Sequence, residues 1–290
     1  MNRTVVEIAG KRLALSNLEK DLYPAYGFTK AQILEYYRGI APFILPHLKD
    51  RAVTFTRYPE GVEKDSFFEK RCPAHRPDWV RTADVVHGSA EPLTYCLVND
   101  LETLLWAGNL ASLELHVPLA RAHSPETPDA MAFDLDPGEG AGLAKAGQVA
   151  LILRDLLSGM GLTSYVKTSG KKGLHVVVPI TAGYTFAQTR EFVHRVGREL
   201  EKRYEKIVAE FPRSQEPGTV FIDYLQNTAG KTMIAPYSLR ATENATVSTP
   251  LTWEELEKAR GPEDFNISTV MERREDPWKG IFEDAQRLVT

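Results

Sequence analysis

The chain has 290 residues, of which 43% are apolar, and this length and composition suffice for a sizeable buried core. No apolar run approaches the roughly 20 residues that cross a bilayer, so we expect no membrane-spanning segment and no membrane partner. The net charge of −4 would disfavour nucleic-acid binding if the charges were evenly spread. However, basic residues gather at 167–172, and Lys20 and Lys30 lie near the N-terminus. A local basic groove is therefore compatible with the acidic total.

Cysteine usage bears on the cellular compartment. The sequence contains Cys72 and Cys96 and no secretion signal at its start, so we expect reduced thiols and a cytoplasmic protein. A zinc site built on Cys72, His75 and Cys96 is disfavoured, because no fourth ligand with suitable spacing is evident.

Hydrophobic periodicity predicts the elements in chain order. A short hairpin turns at Gly10, and Thr29 caps a helix whose apolar residues recur at helical spacing. Further strands are predicted at 53–58, 113–117, 131–136, 163–168, 174–180 and 219–225, and helices at 102–109, 143–160 and 185–204. Residues 252–290, with Trp253, Trp278 and Phe282 among many charges, are expected to form short helices on the surface.

The order of these elements indicates the fold class. Strands and helices alternate in the middle of the chain, but a tight turn at 169–173 joins two strands directly, which favours α+β over a doubly wound sheet. No repeat or low-complexity linker divides the sequence, so one domain over 1–290 is expected.

A pair of acidic residues is the first candidate for chemistry. In the predicted strand 131–136, the period of two sends Asp134 and Asp136 to one face and Phe133 and Leu135 to the other. Two converging carboxylates repel each other unless a divalent cation lies between them, and oxygen ligands suit magnesium or manganese. The alternative is an exposed strand end with two solvated acids.

A third acid and a glycine-rich turn extend this set. Asp223 lies in an apolar, strand-like run, where an unpaired carboxylate is costly, so it requires a cation, either a metal or a basic side chain. Between the acids, residues 168–175 combine two glycines, two lysines, a serine and a histidine, which together suit an anion. Read alone, such a turn is more often a solvated hairpin.

Three motifs in this order resemble those of the archaeo-eukaryotic primase superfamily: FDLDP at 133–137, SGKKGLH at 169–175 and FIDYLQN at 221–227. The chain is most similar to the end-joining branch, which comprises the polymerase domain of bacterial DNA ligase D and its stand-alone archaeal relatives. NLEKDLYP, RYPEG, FFEK, ASLELH and APYSLRA extend the resemblance over almost the whole chain.

The resemblance implies a primase-like catalytic core of mixed and antiparallel sheets flanked by helices. We expect an N-terminal α/β extension at 1–50 that binds DNA ends, the core at 51–250 and a helical tail at 251–290. One stretch departs from the family pattern, because 211–218 is less basic than the corresponding loop near the DNA end. Which residue there contacts DNA stays open.

The resemblance also implies roles for individual residues. The catalytic metals, two Mn²⁺ or Mg²⁺ ions, are held by Asp134, Asp136 and Asp223. The nucleotide is bound by His116, Ser169, Lys172, His175, Lys231 and Arg240. The DNA 5′-phosphate is held by Asn17, Lys20 and Lys30, and a template base stacks on Phe67 and Phe68. Residue chemistry alone leaves alternatives at two positions, since His116 could be structural and one of the two phenylalanines could lie in the core.

The implied activity is template-dependent nucleotidyl transfer that extends DNA ends and fills gaps in non-homologous end joining, with ribonucleoside triphosphates preferred. Implied partners are DNA ends or gaps with a 5′-phosphate, nucleoside triphosphates, a Ku-type protein and a DNA ligase, in the nucleoid-containing cytoplasm of a prokaryote. Two alternatives are a replicative primase or primase-polymerase that starts chains without a primer, and a non-catalytic module that bridges DNA ends. The presence of all three aspartates argues against the second.

Overall fold

The computed structural model describes residues 3–88, 91–210 and 217–288. The first strands are β1 (Arg3–Ile8), β2 (Lys11–Ser16), β3 (Asp21–Tyr23), β4 (Phe28–Thr29), β5 (Thr54–Arg57), β6 (Phe67–Glu69), β7 (Thr82–Val85) and β8 (Leu93–Cys96). The remaining strands are β9 (Ser112–Val117), β10 (Ala130–Pro137), β11 (Tyr165–Thr168), β12 (Leu174–Pro179), β13 (Ile207–Val208), β14 (Val220–Asp223), β15 (Met233–Ile234) and β16 (Pro250–Leu251). The helices are α1 (Lys30–Leu48), α2 (Leu101–Asn109), α3 (Gly142–Gly159), α4 (Phe186–Arg203), α5 (Trp253–Lys258) and α6 (Ile267–Met271), with single 3₁₀ turns at Tyr224–Gln226 and Pro262–Asp264. Among these helices, none combines the length and the apolar character that a bilayer crossing requires.

The elements predicted from periodicity are present, with ends that differ by at most two residues, including the strand predicted at 219–225. That strand ends at Asp223, where the chain enters a 3₁₀ turn. The short strands such as β6 and β13 were not predicted, because two or three residues carry too little periodicity to detect. Most of the loop at 211–218 lies outside the described residues.

The N-terminal part contains the predicted hairpin and the first helix. β1 and β2 pair in antiparallel register around Gly10, whose φ of 77° suits a tight turn. The Thr29 backbone N–H donates to the Gln32 side chain at 2.8 Å, which satisfies one of the free donors at the start of α1. The predicted apolar stripe of α1 is buried, namely Ile33, Leu34, Tyr37 and Ile40. This stripe packs the helix against the core.

A six-stranded sheet carries the three motifs. Its order is β13-β14-β10-β12-β11-β16, and all neighbours are antiparallel except the pair β13 and β14. Phe133 and Leu135 of β10 are fully buried in the main core, and α3 and α4 contact this strand. Asp134 and Asp136 alternate with them and therefore lie on the other face. Mixed sheets with flanking helices confirm the α+β class.

A four-stranded antiparallel sheet stands beside the first, in the order β15-β9-β5-β6. Leu113 and Leu115 of β9 are fully buried in the main core. Glu114 and His116 alternate with them and share the opposite face. β6 forms one edge of this sheet, so its side chains have a neighbouring strand on one side.

The C-terminal residues form short helices, as predicted, and they are more deeply packed than expected. Trp253 Nε1 donates to the Ser164 carbonyl at 3.3 Å, and Trp278 Nε1 donates to the Val166 carbonyl at 3.1 Å. Trp278 is only 4% exposed and belongs to a second apolar cluster on the Asp134 face of the sheet, with Ala130, Ala132, Val177, Met233 and Ile281. The tail therefore completes part of the core.

The cysteines differ from the sequence-based expectation. Cys72 and Cys96 form a disulfide, so the prediction of reduced thiols is wrong for this structure. The zinc alternative is excluded with it, because the two sulfur atoms bond to each other. The backbone explains the proximity, since the Cys72 N–H donates to the Thr94 carbonyl at 2.8 Å on the strand that ends with Cys96. Such a long-range contact is invisible in the sequence.

Candidate active site

Four ionisable side chains line up across four neighbouring strands, and we call them the cross-strand row. Asp223 of β14 stands opposite Asp134 of β10, Asp134 stands opposite His175 of β12, and His175 stands opposite Lys167 of β11. Directly paired residues share one face of a sheet. His175 Nε2 lies 3.4 Å from Asp134 Oδ1 at the centre of the row. Strand register therefore gathers residues from three separate motifs.

The electrostatics of Asp134 indicate a site suited to a cation. Its side chain is 13% exposed, and Gln226 Nε2 donates to its Oδ2 at 3.3 Å. Burial and then the charges of Asp136 and Asp223 raise the pKa of Asp134 to about 7. A divalent cation among these carboxylates would offset both the burial and the mutual repulsion.

The donor chemistry of the three aspartates fits Mg²⁺ or Mn²⁺, since hard cations prefer carboxylate oxygens. Asp223 accepts a hydrogen bond from the Leu225 N–H at 2.7 Å, and no lysine or arginine of the described ranges forms an ion pair with it. Within those ranges, however, no three His, Cys, Asp or Glu side chains already stand in the arrangement of a metal-binding group. The metal-binding roles of Asp134, Asp136 and Asp223 stay a prediction.

His175 is a buried, neutral neighbour of Asp134. The residue is 5% exposed, and burial, followed by the charges of Lys167 and Arg240, holds the pKa of its imidazole well below the usual range. A neutral ring does not compete with a metal ion for the carboxylate and still offers hydrogen bonds.

The turn between β11 and β12 has a well-defined shape. The Ser169 hydroxyl oxygen accepts hydrogen bonds from the backbone N–H groups of Lys171 and Gly173, each at 3.2 Å. Gly170 has a φ of 72°, and a side chain there would collide with that of Arg240. At Gly173, a Cβ atom would lie 2.7 Å from the Leu135 carbonyl oxygen. Both glycines are therefore required for the turn to pack against the sheet.

A cleft of about 490 Å³ opens where the two sheets meet. Seven predicted site residues line it, namely His116, Asp134, Asp136, Ser169, Lys172, His175 and Arg240. Two of the residues predicted to bind the metals or the nucleotide are not part of its lining. Asp223 reaches the site through its pairing with Asp134, whereas Lys231 is exposed and only its neighbour Thr232 lines the cleft. A larger cavity of about 750 Å³, between α1 and residues 274–283, contains none of the predicted site residues.

Sequence reasoning missed several residues of this site. Gln226 contacts Asp134 from within FIDYLQN, and Glu114 contacts His116 from within ASLELH, so both were present in the quoted motifs. Lys167 is 2% exposed, and its Nζ donates to Ser248 Oγ at 2.5 Å. The sequence signal for Lys167 is a basic side chain within the predicted strand 163–168, where burial of the charge would require a specific partner.

The residues predicted to hold a 5′-phosphate, Asn17, Lys20 and Lys30, form what we call the N-terminal cluster. The Lys20 N–H donates to the Asn17 carbonyl at 3.1 Å, and the Lys30 N–H donates to the Lys20 carbonyl at 2.8 Å. Lys20 Nζ lies 2.6 Å from Glu60 Oε1, so this ammonium group already has an anionic partner. Backbone hydrogen bonds, more than side chains, hold the three residues together.

Lys30 differs from an ordinary surface lysine. It is 5% exposed, and its Nζ donates to the Asn109 carbonyl at 2.9 Å. Burial and then the charges of Lys20 and Arg57 lower the pKa of Lys30 to about 8. Lys20 is paired with Glu60, and Arg57 Nη1 lies 3.0 Å from Glu69 Oε2, so among the described residues Lys30 is the cation of this group that has no carboxylate partner. An uncompensated cation of this kind is favourably placed to bind an anion.

Phe67 and Phe68 are 44% and 52% exposed on the edge strand β6, so neither side chain lies in the core. The Arg57 guanidinium lies 4.8 Å from the centre of the Phe67 ring. The Phe68 ring centre lies 5.8 Å from that of His116, which lines the cleft. An exposed aromatic surface is therefore adjacent to the cleft.

The two sheets, the cross-strand row and the lysine-bearing turn at one cleft, together with the family match that follows, identify the chain as a nucleotidyltransferase of the primase-polymerase class. Residues 29–278 match the model of the family described as "LigD, primase-polymerase domain". The chain belongs to this family, whose members are polymerase domains of non-homologous end joining proteins.

Individual relatives support the assignment. The multifunctional non-homologous end joining protein LigD of Mycolicibacterium smegmatis is 40% identical over 249 residues, which cover 85% of this chain and 32% of that protein. The bifunctional LigD of Bacillus subtilis is 35% identical over 264 residues, covering 90% of this chain and 42% of that protein. The polymerase domain from Mycobacterium tuberculosis ligase D, solved in complex with DNA, matches with a TM-score of 0.86 and 37% identity, covering 94% of this chain and 99% of that chain. The chain thus spans about a third to two-fifths of the length of these curated relatives.

Proposed function

We propose that this chain is a template-dependent polymerase that extends DNA ends and fills gaps in non-homologous end joining, and that it prefers ribonucleoside triphosphates. The observation that carries the proposal is the cross-strand row, whose central residues Asp134 and His175 line one cleft together with the turn at 169–172 and Arg240. Phosphoryl transfer requires carboxylates that can hold metal ions and cationic side chains that can bind the phosphates, and both lie at this cleft. The preference for ribonucleotides rests on the family resemblance.

In the proposed reaction, the primer 3′-hydroxyl attacks the α-phosphorus of the nucleotide and pyrophosphate leaves. Asp134, Asp136 and Asp223 would hold two Mn²⁺ or Mg²⁺ ions, which neutralise charge on the phosphates and lower the pKa of the attacking hydroxyl. Lys172 and Arg240 line the cleft and orient the triphosphate by charge and hydrogen bonding. No protein nucleophile takes part.

The DNA would be held by two surfaces outside the cleft. The N-terminal cluster is proposed to bind the 5′-phosphate at the far side of a gap, because its lysines carry more positive charge than Glu60 compensates. Phe68 is proposed to stack on a template base. Because the Phe68 ring contacts the His116 ring, a base stacked there would lie close to the nucleotide.

We further propose that residues 1–290 act as one domain, since the main hydrophobic cluster includes residues from Leu13 to Leu288. A Ku-type protein that delivers DNA ends and a ligase that seals them are the proposed partners. The proposed setting is the nucleoid of a prokaryotic cytoplasm.

The test is extension of a gapped duplex with and without a 5′-phosphate on the downstream strand, with each nucleotide type and with Mn²⁺ or Mg²⁺. We expect phosphate-dependent, templated addition of ribonucleotides, and none by Asp134→Ala. Product formed from template and nucleotides without a primer would instead support the primase alternative. Bridging of two labelled duplexes without any extension would support the non-catalytic one.

A further inference from the structure

Glu114 is a buried acid at the back of the cleft that the proposed mechanism does not use. It lies on β9 opposite Thr56 of β5 and shares a face of the strand with His116. The residue is 5% exposed and is not part of the cleft lining. A ligand in the cleft would therefore contact the residues in front of Glu114 and not Glu114 itself.

The Glu114 carboxylate contacts both residues that stand in front of it. Its Oε2 accepts a hydrogen bond from His116 Nε2 at 3.2 Å, and its Oε1 lies 3.3 Å from Arg240 Nε. The backbone N–H of Ala241 also donates to Oε1, at 3.2 Å. One carboxylate thus joins a strand residue to the irregular segment that carries Arg240.

The carboxylate is ionised in spite of its burial. Burial raises the pKa of Glu114, but the hydrogen bond from His116, the charge of Arg240 and the Ala241 N–H together lower it to about 2. An ionised carboxylate only accepts hydrogen bonds, so His116 must donate through Nε2. This leaves Nδ1 as the ring nitrogen that a nucleotide in the cleft would meet.

We propose that Glu114 is a positioning residue that holds His116 and Arg240 in the orientation in which both bind the incoming nucleoside triphosphate. The inference deepens the proposed function and rests on it. Arg240 has particular need of such support, because it follows β15 in a segment without regular strand pairing, and its long side chain is only 12% exposed. Without the carboxylate, the Arg240 guanidinium would lose its ion-pair contact and the His116 imidazole would lose its hydrogen-bond acceptor.

A purely structural role is the competing explanation, and the choice of variants separates the two. Glu114→Gln keeps the size of the side chain but removes its charge and replaces one of its two acceptor oxygens by an NH2 donor. Glu102→Gln is the matched control, since Glu102 is also a buried acid, with an 8% exposed side chain 3.5 Å from Lys11 Nζ and far from the cleft lining. Thermal denaturation of both variants reports on folding.

The decisive measurement is binding of a ribonucleoside triphosphate with Mn²⁺ by calorimetry, without DNA and without turnover. We expect Glu114→Gln to raise the Kd about 10-fold, which is the loss of one charge-assisted contact. Glu102→Gln should leave this Kd unchanged. In extension assays the same change should appear in the nucleotide KM with little effect on kcat, and binding of a gapped duplex should not change.

A double-mutant cycle then tests whether Glu114 acts through its two neighbours. In a His116→Ala, Arg240→Ala background, Glu114→Gln should change the nucleotide Kd less than about twofold, because the contacts it supports are gone. An equal loss in both backgrounds would overturn the inference, as would an unchanged Kd in the single variant. If Glu114→Gln does not fold, Glu114→Asp takes its place in the cycle.

These outcomes are separable from those of the proposed function. A wild-type protein that binds nucleotide but extends no primer would contradict the polymerase proposal while the role of Glu114 in binding could still be measured. A wild-type protein that binds no nucleotide would contradict both.

Discussion

The cross-strand row and the N-terminal cluster both concentrate charge, but they hold it in different ways. In the row, each side chain is placed by strand pairing, and neighbouring strands fix its distance to the next. In the cluster, Asn17 and Lys20 precede β3 and Lys30 begins α1. Backbone hydrogen bonds hold these residues together, while the two lysine side chains have separate partners.

This difference predicts different responses to substitution. A reaction centre requires alignment within a fraction of an ångström, which a sheet can provide. Recognition of a terminal phosphate requires mainly positive charge within reach, which a loop and a helix start can provide. We therefore expect nearly complete loss of activity from changes in the row and graded effects from changes in the cluster.

The largest effect is expected at the row. Asp223→Asn keeps the shape of the side chain but removes a charge beside Asp134, and it should lower the rate of primer extension by more than about 1,000-fold. Binding of a gapped duplex, measured by fluorescence anisotropy, should change little. Asp155→Asn on the exposed face of α3 is the control and should extend normally. Normal extension by Asp223→Asn would refute a catalytic role for the row.

Lys30→Met tests the cluster, because it keeps the buried stem of the side chain and removes its charge. We expect the preference for a gap with a 5′-phosphate, measured as the ratio of Kd values with and without it, to fall about 10-fold. The nucleotide KM should not change. A loss of affinity for both duplexes alike would indicate that Lys30 only stabilises the contact with Asn109.

Phe68→Leu tests the aromatic surface between the two regions. Stacking of one base on an aromatic ring is worth about 1–3 kcal/mol, so templated extension should weaken by at least about fivefold at low DNA concentration. Phe67→Leu is the comparison, since the Phe67 ring packs against Arg57, whereas the Phe68 ring contacts His116. Equal effects of the two changes would argue against a specific role for Phe68.

The smallest effect is expected at Glu60, and its sign is the informative part. Glu60 forms an exposed ion pair with Lys20, and such pairs contribute about 0–1 kcal/mol to stability. Glu60→Gln should therefore strengthen binding of the phosphorylated gap, by about two- to threefold at low salt. Weaker binding would mean that Glu60 positions Lys20 for the phosphate and does not compete with it.

Local patterns in the sequence were sufficient for much of the fold. The alternation at 131–136 correctly placed Asp134 and Asp136 on one face of the strand and Phe133 and Leu135 on the other. The buried stripe of α1 followed from helical spacing. The family motifs identified seven residues that line one cleft. The faces of the elements could be predicted because they depend on periods of two or 3.6 residues, which neighbouring residues determine, whereas the site residues were predicted from the family resemblance.

The tertiary structure alone decided the contacts between distant segments. Strand register pairs Asp134 with Asp223 and His175, and burial makes Lys30 differ from a surface lysine. The Cys72–Cys96 bond and the position of Glu114 behind His116 likewise depend on which strands become neighbours. The order of the amino acids specifies which groups are available for chemistry and on which face of each element they lie. Packing determined which of them meet, because that choice minimises the free energy of the whole chain and is not encoded in any single segment.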